Sequence, residues 1–295
     1  MRLALFDACR LGVVSADGHT VVEVTEALPW PHDPDPLGAC WWRRLCRDFD
    51  ELRPAIERAA QRGTPRRVSD VYLRAPVLNP SKVIACAVNY SEHEVEMREG
   101  ILQRTGSWTD HWMLDFDVFL KAPSSIIGPL DCVHLPAGPI AAGREIHHES
   151  ELAFVVGRGG SRISEVDALA HVLGYLIGLD ITERGPGDRS RRKSYDTFTP
   201  LGPWLTTADE VADPHDLTIR LWVNGKVRQE ANTRDMLVKI PQIIAYASNI
   251  MRLEPGDVVL TGAPPGVGEI HAGDVMVTEI SGLGRMEIPV DVHVA

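Results

Sequence analysis

The chain has 295 residues, of which 44% are hydrophobic, so it can bury a sizeable core in one large domain or two. Its formal net charge of −11 argues against a nucleic-acid partner and against electrostatic docking on an anionic membrane, because both need surplus Lys and Arg. The five cysteines include no CxxC pair, which argues against a thiolate zinc site and a disulfide framework.

The start, MRLALFDACRLGVVS, differs from a secretory signal because Asp7 and Arg10 interrupt its apolar run. No apolar stretch reaches the roughly 20 residues that a membrane span needs. Scattered cysteines are typical of reduced, buried thiols. We therefore expect a cytoplasmic protein without a membrane partner.

The first quarter of the chain predicts a small N-terminal domain. Residues 2–25 contain short strands around the hairpin dipeptide Asp17-Gly18, and 28–38 is a proline-rich loop. Residues 41–62 have helical spacing with a predicted break at Pro54. The proline-punctuated stretch RAPVLNPSK (74–82) is typical of a linker, so we predict domains at 1–75 and 76–295.

The remainder is rich in short β runs. VIACAV, VFLKA, LAFVVG, IRLWVNG, DVVLTG and DVMVTEI predict strands. A helix is predicted at 165–174, and another near Pro241, because proline suits a first helical position. The irregular spacing of the strands favours an α+β, mainly β body over regular βαβ units.

The segment NYSEHEVEM (89–97) predicts a short helix, because Ser91 and Glu94 have capping-box spacing. His93 and Glu96 then lie three apart on one helical face. A carboxylate beside an imidazole raises the pKa of the histidine and orients its ring, as a general base for water requires. An exposed polar pair without a role is the alternative interpretation.

The stretch IHHESELAFVVGR (146–158) places two carboxylates where the chain enters a strand. Strand alternation puts His147, Glu149 and Glu151 on one face. A third carboxylate, Asp180, ends the next apolar run, where it caps a turn or joins the first two. Carboxylate oxygens suit Mg²⁺, Mn²⁺ or Ca²⁺. His147 and His148 either ligate or lie outside the ligand set.

The stretch 184–203 forms a basic Gly/Pro-rich loop. A solvated surface loop is one interpretation, and a loop that attracts an anionic substrate beside a metal is the other. Lys193 or Lys121 would then polarise a carbonyl or hold an enolate. The loop's cations are Arg184, Arg189, Arg191, Arg192 and Lys193.

Taken in order, seven motifs between about residues 82 and 290 resemble the fumarylacetoacetate hydrolase (FAH) family. NYSEHEVEM and HHESEL are most similar to the acylpyruvase and 2-hydroxyhepta-2,4-diene-1,7-dioate isomerase-like branch. The other motifs are VFLKAPSSIIGP, GLDITERG, KSYDTFTPLGPW, WVNGKVRQEANTRDM and LEPGDVVLTGAPPGVG. The resemblance implies a rolled β-sandwich with a small N-terminal domain, paired as a homodimer.

The resemblance also implies roles for individual residues. The metal ligands for Mg²⁺ or Mn²⁺ would be Glu149, Glu151 and Asp180. The catalytic residues would be His93 and Glu96, which activate water, and Lys193. The substrate-binding residues would be Lys121, Arg184 and Thr261.

The activity implied is hydrolysis of a C–C bond in a small anionic 2,4-dioxo acid through a metal-bound enolate, of the kind used in aromatic degradation. A 2-oxo acid decarboxylase or enol–keto isomerase using the same site is the alternative, and a non-catalytic metal-binding scaffold is the alternative from another class. Three positions depart from the family pattern: Ala263 stands for a threonine, Gly185 for an aspartate and Ile288 for an asparagine. They affect the expected substrate rather than the metal.

Overall fold

The computed structural model describes residues 1–35, 38, 40–92, 95, 96, 98, 99, 102 and 115–292. Within them the α-helices are α1 (Cys40–Arg47), α2 (Phe49–Arg62), α3 (Ala137–Ala141), α4 (Arg189–Arg192) and α5 (Ile240–Ile250). Residues 91, 92, 95, 96, 98, 99 and 102 also have helical backbone, as expected for that segment. None of the helices in this described part is long and apolar enough to cross a membrane.

Twenty strands make up most of the ordered structure in the same ranges. They are β1 (Arg2–Phe6), β2 (Arg10–Val14), β3 (Thr20–Glu23), β4 (Pro65–Arg67), β5 (Leu73–Arg74), β6 (Val83–Ala87), β7 (Asp117–Lys121), β8 (Ile126–Ile127), β9 (Val133–Leu135), β10 (Ile146–His148), β11 (Ser150–Val156), β12 (Val172–Leu179), β13 (Thr182–Glu183), β14 (Thr199–Thr207), β15 (Thr218–Val223), β16 (Lys226–Asn232), β17 (Val258–Leu260), β18 (Gly268–Glu269), β19 (Val275–Ile280) and β20 (Gly284–Val292).

The strands form three sheets. The largest runs β4-β3-β2-β1-β14-β12-β11-β17-β6-β7, with β5 beside β1 and β8 beside β14. A second sheet runs β16-β15-β19-β20-β9, and a small third sheet runs β13-β10-β18. Strand β1 pairs antiparallel with β14, so the N-terminal strands extend the large sheet. The boundary near residue 75 stays a prediction.

The large sheet is covered on both faces. Helices α1 and α2 place Trp42, Leu45 and Ile56 in a core with Val155 and Leu176 of the sheet. On the other face, apolar residues of β11 and β12 share a core with those of β15, β19, β20 and α5. Every residue of β12 is buried, and each fully buried Leu or Ile contributes about 1.5–3 kcal/mol. The predicted fold class, an α+β, mainly β sandwich, is confirmed.

Several predicted elements are confirmed. The hairpin between β2 and β3 turns through Asp17-Gly18, where Gly18 has a φ of +77°. All six predicted β runs are strands, and α5 has proline in its first turn.

Two predictions about helices are wrong. Residues 165–174 are not a helix: a 3-10 turn, Ala168–His171, leads directly into β12. Pairing of β12 with both β11 and β14 decides the conformation of this apolar stretch. The predicted break at Pro54 is also wrong, because Pro54 lies inside α2 and the chain leaves helical geometry at Asp48. Proline has no backbone N–H, so one carbonyl in the preceding turn of α2 lacks its helical hydrogen bond. Pro54 is exposed, so water can reach that carbonyl instead.

Candidate metal centre

Three carboxylates meet where β11 begins and β12 ends. Antiparallel pairing sets Glu151 opposite Gly178, which brings Asp180, the residue after β12, beside Glu149, the residue before β11. The Asp180 amide donates to the Glu149 carbonyl at 2.8 Å. One carboxylate oxygen from each of the three residues lies within 4.8 Å of the others, and all three side chains are buried. This spacing permits a single divalent cation to bind all three.

Glu151 has an unsatisfied oxygen in this cluster. Its Oε2 accepts a hydrogen bond from the Gly262 amide at 2.6 Å, whereas its buried Oε1 has no partner in the described structure. Burial raises the pKa of Glu151 well above its usual value, and the charge of Asp180 raises it further. A buried carboxylate oxygen without a donor is costly unless a cation binds it. The three residues therefore fit Mg²⁺ or Mn²⁺.

Two buried lysines balance the carboxylates. Lys193 contacts Asp180 and also Glu149, with its Nζ 2.6 Å from Glu149 Oε2. Burial lowers the pKa of Lys193, but the attraction of Asp180, Glu149 and Glu151 outweighs burial and the net pKa is raised. Lys121, at the end of β7, donates to Asp180 at 2.5 Å, and burial lowers its pKa. Both predicted lysines thus lie at the cluster.

The basic loop borders a small cavity next to these groups. The cavity has a volume of about 40 Å³. Arg184 donates to Glu149 Oε1 at 2.6 Å, so the loop is anchored to the carboxylates rather than solvated throughout. Arg191 instead donates to Glu183 at 3.0 Å and does not line the cavity. The lining residues are Cys86, Ala87, Val88, Phe119, Glu149, Arg184, Arg189, Arg192, Lys193 and Ala263.

The turn after β17 supports Glu151. Gly262, with a φ of +99°, presents its amide to Glu151. Asn89 holds this turn, because its Nδ2 donates to the Thr261 carbonyl at 2.7 Å. The Thr261 hydroxyl donates to the Leu152 carbonyl at 2.9 Å, so this predicted substrate contact is bonded to backbone. Ala263, two residues after Thr261, lines the cavity.

Sequence reasoning missed two supporting residues. The buried Gln229 accepts from the Ser150 amide at 2.9 Å and donates to the Pro264 carbonyl at 2.9 Å, joining β11 to the turn. Asn89 links the same turn to the backbone of Val238. Both stand in motifs of the resemblance, but an amide side chain has no spacing rule that reveals its distant partners.

The predicted water-activating pair is described only in part. His93 lies outside the described residues, and so does Glu94 of the predicted capping box. Glu96 accepts a hydrogen bond from the Gly266 amide at 2.8 Å. Gly266 follows Gly262 in the same loop, so Glu96 is tied to the loop that supports Glu151.

The two neighbouring histidines are held by other partners. His147 Nε2 lies 2.9 Å from Glu145, and His148 Nδ1 lies 3.2 Å from Gln229. Burial lowers the pKa of each histidine to about 4, with the charge of Arg184 adding to the effect at His147. Both rings are therefore neutral near pH 7. In the described part of the chain, the candidate metal cluster does not include them.

The chain belongs to the fumarylacetoacetate hydrolase family. Residues 82–291 match the family model described as fumarylacetoacetate (FAA) hydrolase C-terminal. This match confirms the family inferred from the seven motifs, and with it the predicted class of enzyme.

Individual relatives cover nearly the whole chain. Maleylpyruvate hydrolase from Aquipseudomonas alcaligenes is 40% identical over 293 residues, which are 98% of this chain and 99% of the relative. A mitochondrial oxaloacetate tautomerase from Xenopus laevis is 39% identical over 313 aligned positions, which cover 98% of this chain and 90% of the relative. The crystal structure of maleylpyruvate hydrolase from Sphingobium sp. SYK-6 in complex with manganese(II) and pyruvate has a TM-score of 0.86 and 41% identity, with 100% of both chains covered.

Proposed function

We propose that this chain is a divalent-metal-dependent hydrolase that cleaves a C–C bond in a 2,4-dioxo acid of the acylpyruvate type. The observation that carries the proposal is the buried cluster of three carboxylates beside a cavity lined by cations. The positive charge that lines this cavity favours an anionic oxo acid, whose carboxylate it attracts. The likeness to maleylpyruvate hydrolases supports the reaction type.

In this proposal Glu149, Glu151 and Asp180 hold Mg²⁺ or Mn²⁺. When bound, the ion supplies a Lewis acid that polarises the 2-oxo group of the substrate. Lys193 and Lys121 place two ammonium groups at the cluster, where they stabilise the negative charge that develops on the pyruvate unit.

Arg184 and Thr261 bind the substrate in this proposal. Arg184 already contacts Glu149 at the edge of the cavity, so its guanidinium is close enough to meet the substrate carboxylate. The Thr261 hydroxyl has to turn away from the Leu152 carbonyl before it can donate to an anion.

The chain's water-activating pair is proposed to be His93 and Glu96. His93 takes a proton from water, and the resulting hydroxide attacks the distal carbonyl carbon. The bond between that carbon and the neighbouring CH₂ breaks, and its electron pair passes to the pyruvate unit as an enolate. Protonation of the enolate yields pyruvate, and the acyl group leaves as a carboxylic acid.

Product analysis by NMR tests this reaction. The purified protein with Mn²⁺ is given acetylpyruvate, and we expect acetate and pyruvate in equal amounts. Chelation with EDTA and the Glu151→Gln change should each abolish turnover, and His93→Ala should abolish it while Mn²⁺ binding persists. Turnover that survives both EDTA and Glu151→Gln would contradict the proposal.

An enol–keto isomerase or decarboxylase acting on a 2-oxo diacid is the second candidate. The likeness to an oxaloacetate tautomerase favours it, since enolate stabilisation by the same lysines would serve both reactions. Oxaloacetate is the discriminating substrate. Tautomerisation or CO₂ release that survives His93→Ala, with no hydrolysis of acetylpyruvate, would replace the hydrolase proposal. A non-catalytic scaffold would turn over neither compound.

We also propose that the enzyme is a cytoplasmic homodimer with a role in aromatic degradation. The homodimer follows from the family resemblance, and light scattering of the purified protein tests it. A monomeric mass at micromolar concentration would refute this part alone.

A further inference from the structure

A second cavity, of about 590 Å³, lies beside the turn between β1 and β2. Its walls come from that turn, from the segment 74–79 and from the turn that follows β7. Among the residues that the structure describes, none lines both this cavity and the one beside the metal cluster. Small-molecule sites have volumes of about 300–1,000 Å³. The second cavity is therefore large enough to hold a ligand of its own.

Much of the wall of this cavity is apolar. Val77 and Leu78 are buried, whereas Ile126 and Ile127 of β8 keep part of their surface exposed. The position of β8 is fixed, because it pairs in parallel with β14. A ligand that covers apolar side chains releases water from them, and this release favours binding. The lining thus favours a ligand with a large apolar group.

Arg74 supplies an oriented cation to the cavity. Its Nε donates a hydrogen bond to the Asp7 carbonyl at 2.9 Å, and its guanidinium carbon lies 4.8 Å from the centroid of the Tyr72 ring. Within the described ranges, its two terminal nitrogens take part in no hydrogen bond or ion pair. A guanidinium held in this way can donate two parallel hydrogen bonds to a carboxylate.

Asp131 supplies the opposite charge. Its Oδ2 accepts a hydrogen bond from the Gly128 amide at 2.7 Å, and its Oδ1 accepts one from the Tyr72 hydroxyl. Both donors are neutral, and no basic side chain in the part of the chain that the structure describes forms an ion pair with Asp131. Arg74 and Asp131 are thus anchored to the ring face and the hydroxyl of the same tyrosine, and they do not pair with each other.

The backbone around the cavity is left-handed at three lining residues. Asp7, Cys9 and Asn79 have φ values of +49°, +56° and +40°. Asp and Asn tolerate this conformation, but a cysteine rarely adopts it. Hydrogen bonds between Asp7 and the backbone of Tyr72 hold the turn, and the Asp7 carboxylate is paired with Arg66. Backbone strain of this kind concentrates at ligand sites, which favours a binding role for the cavity.

We propose that this cavity binds an α-amino acid with a large apolar side chain. The carboxylate of the ligand meets Arg74, its ammonium meets Asp131, and its side chain covers Ile126 and Ile127. A simple anion would gain nothing from Asp131, and a simple cation would gain nothing from Arg74, so a zwitterion is the ligand that complements both charges. The proposal is independent of the reaction at the metal centre.

Calorimetry with three related probes tests this proposal on the Mn²⁺-loaded protein. L-Phenylalanine carries both charges, phenethylamine lacks the carboxylate, and 3-phenylpropionate lacks the ammonium. We expect wild type to bind one phenylalanine per chain. Binding should be on the order of tenfold tighter than for either analogue, because hydrogen bonds to charged groups have that magnitude.

Two variants should show opposite patterns. Arg74→Gln should abolish the advantage of phenylalanine over phenethylamine but keep its advantage over 3-phenylpropionate, and Asp131→Asn should do the reverse. A variant that only loosens the structure would weaken binding of all three probes alike. Arg67→Gln removes an exposed cation of β4 outside the cavity, and Arg192→Gln removes one from the cavity beside the metal cluster. Both controls should bind phenylalanine as wild type does.

Three results would overturn the proposal. In the first, wild type binds phenylalanine no tighter than it binds the two analogues, a comparison that needs no variant to fold. In the second, Arg74→Gln and Asp131→Asn, folded by circular dichroism, keep the preferences of wild type. In the third, Arg192→Gln rather than Arg74→Gln weakens phenylalanine binding, which places the amino acid in the other cavity. These binding data do not depend on hydrolysis of an acylpyruvate, so the two proposals fail separately.

Discussion

Replacing Gly262 by alanine tests the turn that supports Glu151. Gly262 has a φ of +99°, which residues with a Cβ rarely adopt. A Cβ at this position would lie 2.7 Å from the Cβ of Asn89, closer than two such carbons approach. The backbone and the neighbouring side chain therefore both oppose the substitution.

The magnitude follows from these two effects. The left-handed conformation costs roughly 1–2 kcal/mol for a residue with a side chain, and overpacking costs about 1–3 kcal/mol, so Gly262→Ala should lower the free energy of unfolding by about 2–5 kcal/mol. Displacing the amide also lengthens its 2.6 Å hydrogen bond to Glu151. Loss of that bond, worth about 1 kcal/mol, should weaken Mn²⁺ binding about fivefold.

Urea unfolding measures the stability change, and calorimetry measures the Mn²⁺ affinity. Gly273→Ala is the matched control, because Gly273 has a φ of +89° but a Cβ there would meet no atom within 4 Å. The control should lose only the backbone contribution and should bind Mn²⁺ normally. Equal stability losses in both variants, with unchanged Mn²⁺ affinity in each, would refute the reasoning.

Three further predictions concern charge and burial. Lys193→Met removes the ammonium that contacts two carboxylates, so the metal-free protein should lose about 3–5 kcal/mol of stability. Mn²⁺ should restore part of this stability in a thermal shift assay. An unchanged melting temperature of the metal-free variant would contradict this reasoning. Arg53 lowers the pKa of Asp209 to about 2 from 3.8, so this pair stabilises the fold above pH 4 and the contribution disappears as pH falls through 2. Because Asp209 is 46% exposed, Asp209→Asn should cost less than about 1 kcal/mol at pH 7 by urea unfolding, and less at pH 2, where about half of the carboxyl groups are protonated. A larger cost at pH 2 than at pH 7 would be the contrary result. With a thiol reagent, exposed Cys40 should react in the native protein, whereas Cys86, whose pKa is raised by burial, should react only after unfolding; rapid native labelling of Cys86 would be inconsistent with its burial.

The elements predicted best from sequence are those with strong local signals. Alternating or continuous apolar runs identify six strands, and Asp17-Gly18 marks a hairpin because that dipeptide favours its turn. The helix predicted at 165–174 is wrong because pairing with two neighbouring strands outweighs local preference. The break predicted at Pro54 is wrong because an exposed proline inside α2 is tolerated.

The candidate site likewise combines residues that the sequence identifies with contacts that only the fold creates. Sequence by itself determined the family, through ordered motifs, and named the carboxylates Glu149, Glu151 and Asp180, because ligand chemistry depends on residue type. Only the tertiary structure decided that Lys193 contacts two of these carboxylates and that Gly262 supports the third. Those contacts join residues between 13 and 111 positions apart, and strand pairing and loop packing, rather than any local pattern, bring them within hydrogen-bonding distance.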